Sequence, residues 1–522
     1  MLTRSSTRRW SSDPRLPLLG LAAVVGLTVA AYARFLSTGF AASDSLPLIE
    51  NSRLGSLEAV PRLFTTPVLT GTTFVVDEVV YRPFVSLTFG LDYLLWGPTA
   101  VGYHLSNLAL HVVTVAAVWL LFSNLGLSRW SSVLGAAVFA FHPVVLATVP
   151  VIGRRDSIVP VTAIVIAAWL LLLAETSPRR RRRFLLLGVS LVLAALAMLS
   201  KESAFVGVGL LPILLAGRAW GSAQGLRGTW RSAFLAWPFV VLAVVLFGLR
   251  LLVLRGLGGM DSADLGFVDV YRYGTLLGSY TRDLFWAFAG LRPPTRDAWL
   301  RVAGALVVGL ALSLVCLPRR QAALAAVGCV WIIAFGVFTA VFKIATLGWL
   351  AYFALVGVAL VIAAGAEGAV RQLRVGAHRR DRWLRVLGDV SLAGLLIGLL
   401  TYALGSLWAS ALFRDYPQWQ VAGDVESRYM QALEACVAAY PEVSYVSLQR
   451  VPEAFDDGRP ETDMLGVTLI QQYTAEAALR QAFPDRALEI HVGSVDTLHA
   501  GPDALKFSCV RQAHGVELNA QY

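Results

Sequence analysis

Apolar positions along this chain gather into long unbroken runs, with polar residues confined to the gaps between them and to the C-terminal fifth. A soluble fold of this length hides its apolar residues in two or three cores and does not repeat runs near the ~20 residues that cross a bilayer. Such runs recur here at roughly 16–35, 101–124, 130–150, 157–175, 184–200, 203–217, 232–254, 299–317, 322–342, 346–367 and 387–411. They predict eleven transmembrane helices, the sixth short enough to be tilted or broken. Met1 to Arg15 is basic, and the run behind it is too long for a signal-peptide core, so it reads as a retained first span. Phe84 to Trp96 carries apolar and aromatic residues on more than one face, which predicts a helix lying in the membrane interface. The stretch 268–294 is moderately apolar but holds Arg272, Arg282, Asp283 and Arg292, and predicts an interfacial or re-entrant segment on the outer side.

Composition agrees with this reading and charge orients it. The 522 residues are 57% hydrophobic and 15% charged, well under the ~25% charge of soluble domains. The net charge of +10 sits mostly in short loops between apolar runs, so it answers to the positive-inside rule and not to nucleic acid. Basic groups lie before the first span, at Arg179 to Arg183, around Arg218, Arg227 and Arg231, at Arg319 and Arg320, and from Arg371 to Arg385. Eleven spans put all of them on the cytoplasmic side and the C-terminus outside. Three parts follow: a cytoplasmic basic N-terminus (1–15), a transmembrane domain (16–412) with an outer loop over 36–100, and an extracytoplasmic soluble domain (413–522). In the last, 432–439 and 474–483 are helix-like while 443–448 and 488–492 are strand-like, which predicts a small α/β domain. Cys316 and Cys329 fall in apolar runs, whereas Cys436 and Cys509 fall in the tail, where export would permit them to pair.

With this topology the unusual polar residues collect near the outer surface. Asp44 follows the first span, and Asp77, Glu78, Tyr81 and Arg82 close the first outer loop. His104, Asn107 and His111 share one face of the second span by their i, i+3, i+7 spacing, and His142 lies within the third. Arg154, Arg155 and Asp156 occupy the next outer loop, Lys201 and Glu202 the one after the fifth span. An aspartate at the outer end of a span is ordinarily a solvated helix end; its chemical use would be as a general base on an attacking hydroxyl. Buried His and Asn ordinarily bond helices together, but ionisable groups at membrane depth also face cavities and ligands. Arg82, Arg154, Arg155 and Lys201 are outer-side cations that suit a phosphate, which arginine grips with two parallel hydrogen bonds. No zinc ligand spacing is visible, and neither a metal nor a dissociable cofactor is expected.

The order of motifs is more specific than any one of them. Asp44 is followed by Tyr81-Arg82-Pro83, Tyr103-His104-Leu105-Ser106-Asn107 with His111, Phe141-His142-Pro143, Gly153-Arg154-Arg155-Asp156 and Lys201-Glu202-Ser203. Over about residues 15–220 this series resembles the membrane part of the protein O-mannosyltransferases that carry transmembrane spans and tetratricopeptide repeats, and their bacterial relatives, within the GT-C glycosyltransferases. The resemblance implies an all-α polytopic GT-C-like fold. It also implies a multi-pass location in the bacterial cytoplasmic (inner) membrane, and a sugar taken from a polyprenyl-phosphate carrier at the extracytoplasmic face. It makes Asp44 the base. The family often shows two adjacent acids there, where this chain has Ser43-Asp44, so Asp77 and Glu78 stand as rivals. The late stretch Gly348-Trp349-Leu350-Ala351-Tyr352 lacks the family's arginine, and no tetratricopeptide repeat is present.

The expected donor is then a lipid-linked sugar, a co-substrate, and the acceptor a hydroxyl of a protein or glycan. Arg82, Arg154, Arg155 and Lys201 would hold the phosphate. Asp77, Glu78, Tyr81, His104, Asn107, His111, His142, Asp156 and Glu202 would line the cavity. A flippase or transporter of lipid-linked sugars would also carry many spans and outer arginines, but needs polar residues on both sides of the midplane. A lipid-linked glycan polymerase or ligase would use closely similar chemistry, and a non-catalytic scaffold would make Asp44 dispensable.

Overall fold

A computed structural model describes residues 13, 15–70, 72–73, 80–256, 280, 284, 316–341, 348–376, 382–456, 467–499 and 501–521. Asp77, Glu78, residues 299–315 and all of 268–294 except Tyr280 and Leu284 lie outside them.

The apolar runs fold as helices because a chain in lipid satisfies its backbone groups within the segment. In order they are α1 (Arg15–Ala33), α2 (Ser45–Ser52), α3 (Val60–Thr65), α4 (Pro83–Trp96), α5 (Ala100–Leu125), α6 (Arg129–Phe141), α7 (Arg155–Thr176) and α8 (Arg180–Met198). There follow α9 (Ala204–Gly209), α10 (Leu211–Gly221), α11 (Gly225–Phe234), α12 (Trp237–Leu254), α13 (Arg319–Val341), α14 (Leu355–Gly376) and α15 (Arg382–Trp408). Among the described residues, 8 helical stretches are long and apolar enough to cross a membrane. The protein is a mostly helical, multi-pass membrane protein.

Local chemistry explains where the helices depart from the sequence expectation of eleven spans. The third run does not continue to residue 150. Pro143 holds His142 extended (φ −66°, ψ 137°), so α6 ends at Phe141 and a 3-10 turn, Pro143–Ala147, follows. The sixth run is broken at Leu210, between α9 and α10, two residues before Pro212. Helix α8 opens with four consecutive arginines, Arg180 to Arg183, before its apolar part. Tyr280 and Leu284 are buried: the Tyr280 hydroxyl donates to the Ile332 carbonyl at 2.9 Å, and the Leu284 carbonyl accepts from Tyr402 at 2.5 Å. Helix α4 exposes Leu91, Leu94, Leu95 and Trp96, the apolar face expected of a helix in the interface.

The C-terminal unit is α/β. Helix α16 (Gln418–Ala438) precedes β1 (Tyr445–Gln449) and β2 (Val451–Phe455). Helix α17 (Gln472–Ala482), β3 (Glu489–Val492), β4 (Val495–Leu498), β5 (Lys506–Gln512) and β6 (Gly515–Gln521) complete it. A four-stranded sheet runs β3-β1-β6-β5, parallel except for the β5–β6 hairpin, beside a two-stranded β2–β4 ribbon. Cys436 of α16 and Cys509 of β5 form a disulfide across 73 residues, a closure worth about 4 kcal/mol in the chain-entropy account.

This unit does not hang free. One apolar core runs without interruption from Val24 and Tyr32 in α1 through the bundle to Trp419, Leu433 and Val516. Trp419 is buried and donates from Nε1 to the Leu146 carbonyl in the turn after α6 (2.9 Å). Gly423 meets the Thr38 carbonyl so closely that a Cβ there would lie 1.8 Å from the oxygen.

Candidate active site

The residues just before α2 and α4, the start of α7, the loop before α9 and helix α12 converge on one ionic cluster. Asp44 is the residue preceding α2, where an aspartate usually caps the helix. Here its side chain makes no cap hydrogen bond. Its Oδ2 pairs with Arg154 Nη1 at 3.0 Å, and its Oδ1 is buried without a hydrogen-bond partner among the described residues. Gly153 makes this approach possible, since a Cβ on it would sit 2.6 Å from Asp44 Oδ1. On its far side the Arg154 guanidinium lies 3.5 Å from the centre of the Trp349 ring, a cation–π contact that holds the charge in place.

Five further charged residues extend the cluster. Arg82 Nη1 pairs with Asp156 at 2.6 Å and Arg82 Nη2 with Glu202 at 2.9 Å. Lys201 Nζ pairs with Asp156 at 3.0 Å and donates to Ser157 Oγ at 2.8 Å. Arg250 reaches in from α12, pairing with Glu202 at 2.9 Å and donating to the Tyr81 carbonyl at 3.2 Å, while its Nη2 has no hydrogen-bond partner among the described residues. Arg82, Arg154, Lys201 and Arg250 thus face Asp44, Asp156 and Glu202, which leaves one positive charge in excess.

The titration of the loop members follows. For Arg82, burial works against the charge, but Glu202, Asp156 and, further off, Asp44 outweigh it and push its pKa up. Burial also opposes ionisation of Glu202, yet Arg82 and Arg250 bring its pKa down to about 2. Burial lowers Lys201 to about 8, with Asp156 opposing the shift and Arg82 adding to it.

The other candidates are tied elsewhere. Arg155 is 1% exposed. It pairs with Asp92 (2.7 Å), donates to Asn107 Oδ1 (2.8 Å) and the Tyr103 carbonyl (3.0 Å), and lies over Phe89 at 4.5 Å. Asn107 also donates to the Val151 carbonyl at 3.0 Å. His111 bonds Tyr352 through Nδ1 (2.9 Å) and the Ala140 carbonyl through Nε2 (3.4 Å). His142 accepts from the Val144 amide at Nδ1 and meets the Leu284 carbonyl and Tyr402 at Nε2. His104 Nε2 meets the Gly39 carbonyl at 2.6 Å, leaving Nδ1 buried and unpartnered. Tyr81 is buried and donates to the Phe64 carbonyl. None of these four side chains, His104, Asn107, His111 or His142, bonds a member of the ionic cluster among the described residues. Sequence reasoning did not single out Arg250, although a lone arginine inside an apolar run is itself a signal.

Sequence comparison adds to this geometry. The chain is 29% identical over 243 residues to human protein O-mannosyl-transferase TMTC3, a match covering 44% of this chain and 26% of that protein. It is 32% identical over 142 residues to Drosophila melanogaster Tmtc1, covering 27% and 16%. This chain is similar to the protein O-mannosyl-transferases. The likeness read from motif order thus returns in direct comparison, although the match spans about a quarter or less of the curated relatives' length. No family model matches the chain. Among solved structures, ArnT from Cupriavidus metallidurans bound to undecaprenyl phosphate superposes with a TM-score of 0.45 at 13% identity, covering 92% of this chain and 90% of that one. The archaeal oligosaccharyltransferase AglB from Archaeoglobus fulgidus gives 0.45 at 14% identity, covering 83% and 62%.

Proposed function

We propose that this protein is a GT-C type membrane glycosyltransferase that moves a sugar from a polyprenyl-phosphate carrier to an acceptor hydroxyl, with a protein as the acceptor the sequence relatives suggest. The observation that carries the reading is the unpartnered Oδ1 of Asp44 beside a cluster with one positive charge in excess. A polyprenyl-phosphate sugar is a phosphodiester with a single negative charge, which that excess matches.

In the proposed step, Asp44 takes the acceptor's hydroxyl proton as the acceptor oxygen bonds to the sugar's anomeric carbon. The bond from that carbon to the phosphate oxygen breaks, and its electron pair leaves with the carrier phosphate. Arg82, Lys201 and Arg250 hold the phosphate and stabilise the second negative charge that develops on it. Arg154 orients Asp44 and adds to the same field. Arg155 acts through the scaffold, since its guanidinium is committed to Asp92, Asn107 and Tyr103. The site would face the extracytoplasmic side of the inner membrane, where the basic loops place Asp44, Arg82 and Lys201 together and where the C-terminal unit would lie.

The test is mass spectrometry of glycoproteins and glycans from cells with and without the gene. A sugar adduct that disappears with the gene and returns with the wild type supports transfer. An unchanged glycan and glycoprotein inventory, or movement of lipid-linked sugar across the membrane with no transfer, contradicts it.

A further inference from the structure

The segment that carries Asp44 is strained, and it is gripped from outside the transmembrane bundle. Gly39 (φ 64°) and Ala41 (φ 35°) both lie at positive φ. A residue with a Cβ costs about 1–2 kcal/mol in that region, and Ala41 is completely buried, so its surroundings must enforce the conformation. The segment is held by His104 of α5, at Thr38 and Gly39, and by the C-terminal unit. Gly423 abuts Thr38 and Gly39. Ser43 Oγ bonds Thr468 Oγ1 at 3.1 Å and the Tyr473 hydroxyl at 3.2 Å, and Thr474 Oγ1 donates to the Ser43 carbonyl at 2.7 Å.

One turn beyond Gly423 on α16 stands Glu426. It is 3% exposed, and beyond the nearby Ala42 amide neither carboxyl oxygen has a hydrogen-bond partner among the described residues. A buried carboxylate so sparsely partnered is costly for a fold to hold, and the charge acting on it is that of another carboxylate, Asp44. Burial first, then the Asp44 charge, push the Glu426 pKa up to about 8, with the Ala42 amide opposing them. Around the pair stand Arg154 on the far side of Asp44 and the Tyr473 phenol on Ser43.

We infer that Glu426 is a positioning partner of Asp44: a buried carboxyl, delivered by the C-terminal unit onto the strained segment that carries the base, whose charge state sets how that segment seats Asp44. This rests on the transferase reading, and makes the C-terminal unit part of the catalytic corner.

Two measurements test it. The first needs no turnover: infrared difference spectra of the purified full-length protein follow the protonated carboxyl band of Glu426, identified by its loss in Glu426→Gln. Asp44→Asn removes the like charge, so the band should titrate at lower pH than in the wild type. An unshifted titration, or no protonated band at neutral pH, overturns the inference. The second is the pH dependence of kcat at saturating donor. Lys201 titrates over the same range, so the comparison is made in the Lys201→Arg background, where kcat should change through about pH 8 and Glu426→Gln should abolish the change. A Lys201→Arg profile without that change, or a Lys201→Arg, Glu426→Gln profile that keeps it, overturns the inference. Should Glu426→Gln fail to assemble, the wild-type and Asp44→Asn titrations still decide. Normal sugar transfer by Asp44→Asn would instead sink Asp44 as the base, the part of the transferase reading on which the inference rests, whatever the infrared titration shows.

Discussion

Two buried polar regions lie within a few residues of each other, and they differ in what their groups have left to give. At the junction of α5 and α7, Arg155, Asn107 and His111 spend their hydrogen bonds on carbonyls and the Tyr352 hydroxyl, Arg155 and Asn107 bond each other, and Asp92 balances the Arg155 charge. One residue before Arg155, Arg154 belongs to a cluster where, among the described residues, Asp44 Oδ1 and Arg250 Nη2 have no hydrogen-bond partner and one positive charge is uncompensated. Residue type does not separate the two regions, since each holds arginine and carboxylate, and each holds a buried carboxylate oxygen without a hydrogen-bond partner among the described residues. Uncompensated charge does. A satisfied network stabilises a fold, whereas an unsatisfied one keeps its desolvation cost until a ligand relieves it.

The contrast is sharpest at the adjacent arginines. Arg155→Ala should strand Asp92 in a buried site and cost about 3–5 kcal/mol of stability, read as a lowered unfolding midpoint in detergent. A stable Arg155→Ala protein that has lost donor binding would erase the distinction. Arg82→Ala should also cost stability, since Arg82 pairs with Asp156 and Glu202, but unlike Arg155→Ala it should act on the ligand too. Losing hydrogen bonds to a charged phosphate, about 1.5–3 kcal/mol, weakens polyprenyl-phosphate affinity by roughly ten- to a hundredfold in equilibrium binding. Unchanged affinity would remove Arg82 from the phosphate site. Lys201 gives a smaller, pH-dependent effect. Its pKa of about 8 means that it is charged below that pH and neutral above it, so donor affinity should fall as pH rises through 8. Lys201→Arg should flatten that fall. The smallest effect is expected at His111→Phe, where losing interhelical hydrogen bonds costs about 1 kcal/mol of stability and leaves donor affinity as it was. A large loss of affinity there would move His111 into the ligand site.

The sequence shows these regions unequally. Membrane embedding and helix α4 are legible because run length and apolar pattern are local properties. The tail elements are legible in outline: residues 432–439 mark the last third of α16, and 443–448 and 488–492 overlap β1 and β3. The breaks after Phe141 and at Leu210 come from prolines set inside apolar runs, where hydropathy carries no trace of the backbone bend. Arg250 and Trp349 reach the site from distant helices, so nothing in their spacing relates them to Asp44. Glu426 is the extreme case. It reads as one more charge on an amphipathic helix, and only the packing of α16 against Thr38 and Gly39 buries it near the segment that carries Asp44.

The account stands on Asp44 as the base. The direct measurement is single-turnover sugar transfer from a polyprenyl-phosphate donor by Asp44→Asn and wild-type protein, at donor concentrations that saturate both. Asparagine keeps the shape and removes the proton acceptor, so the rate should fall by about 10²–10⁴-fold while the protein remains folded and binds donor. A rate within a few-fold of wild type would contradict the account.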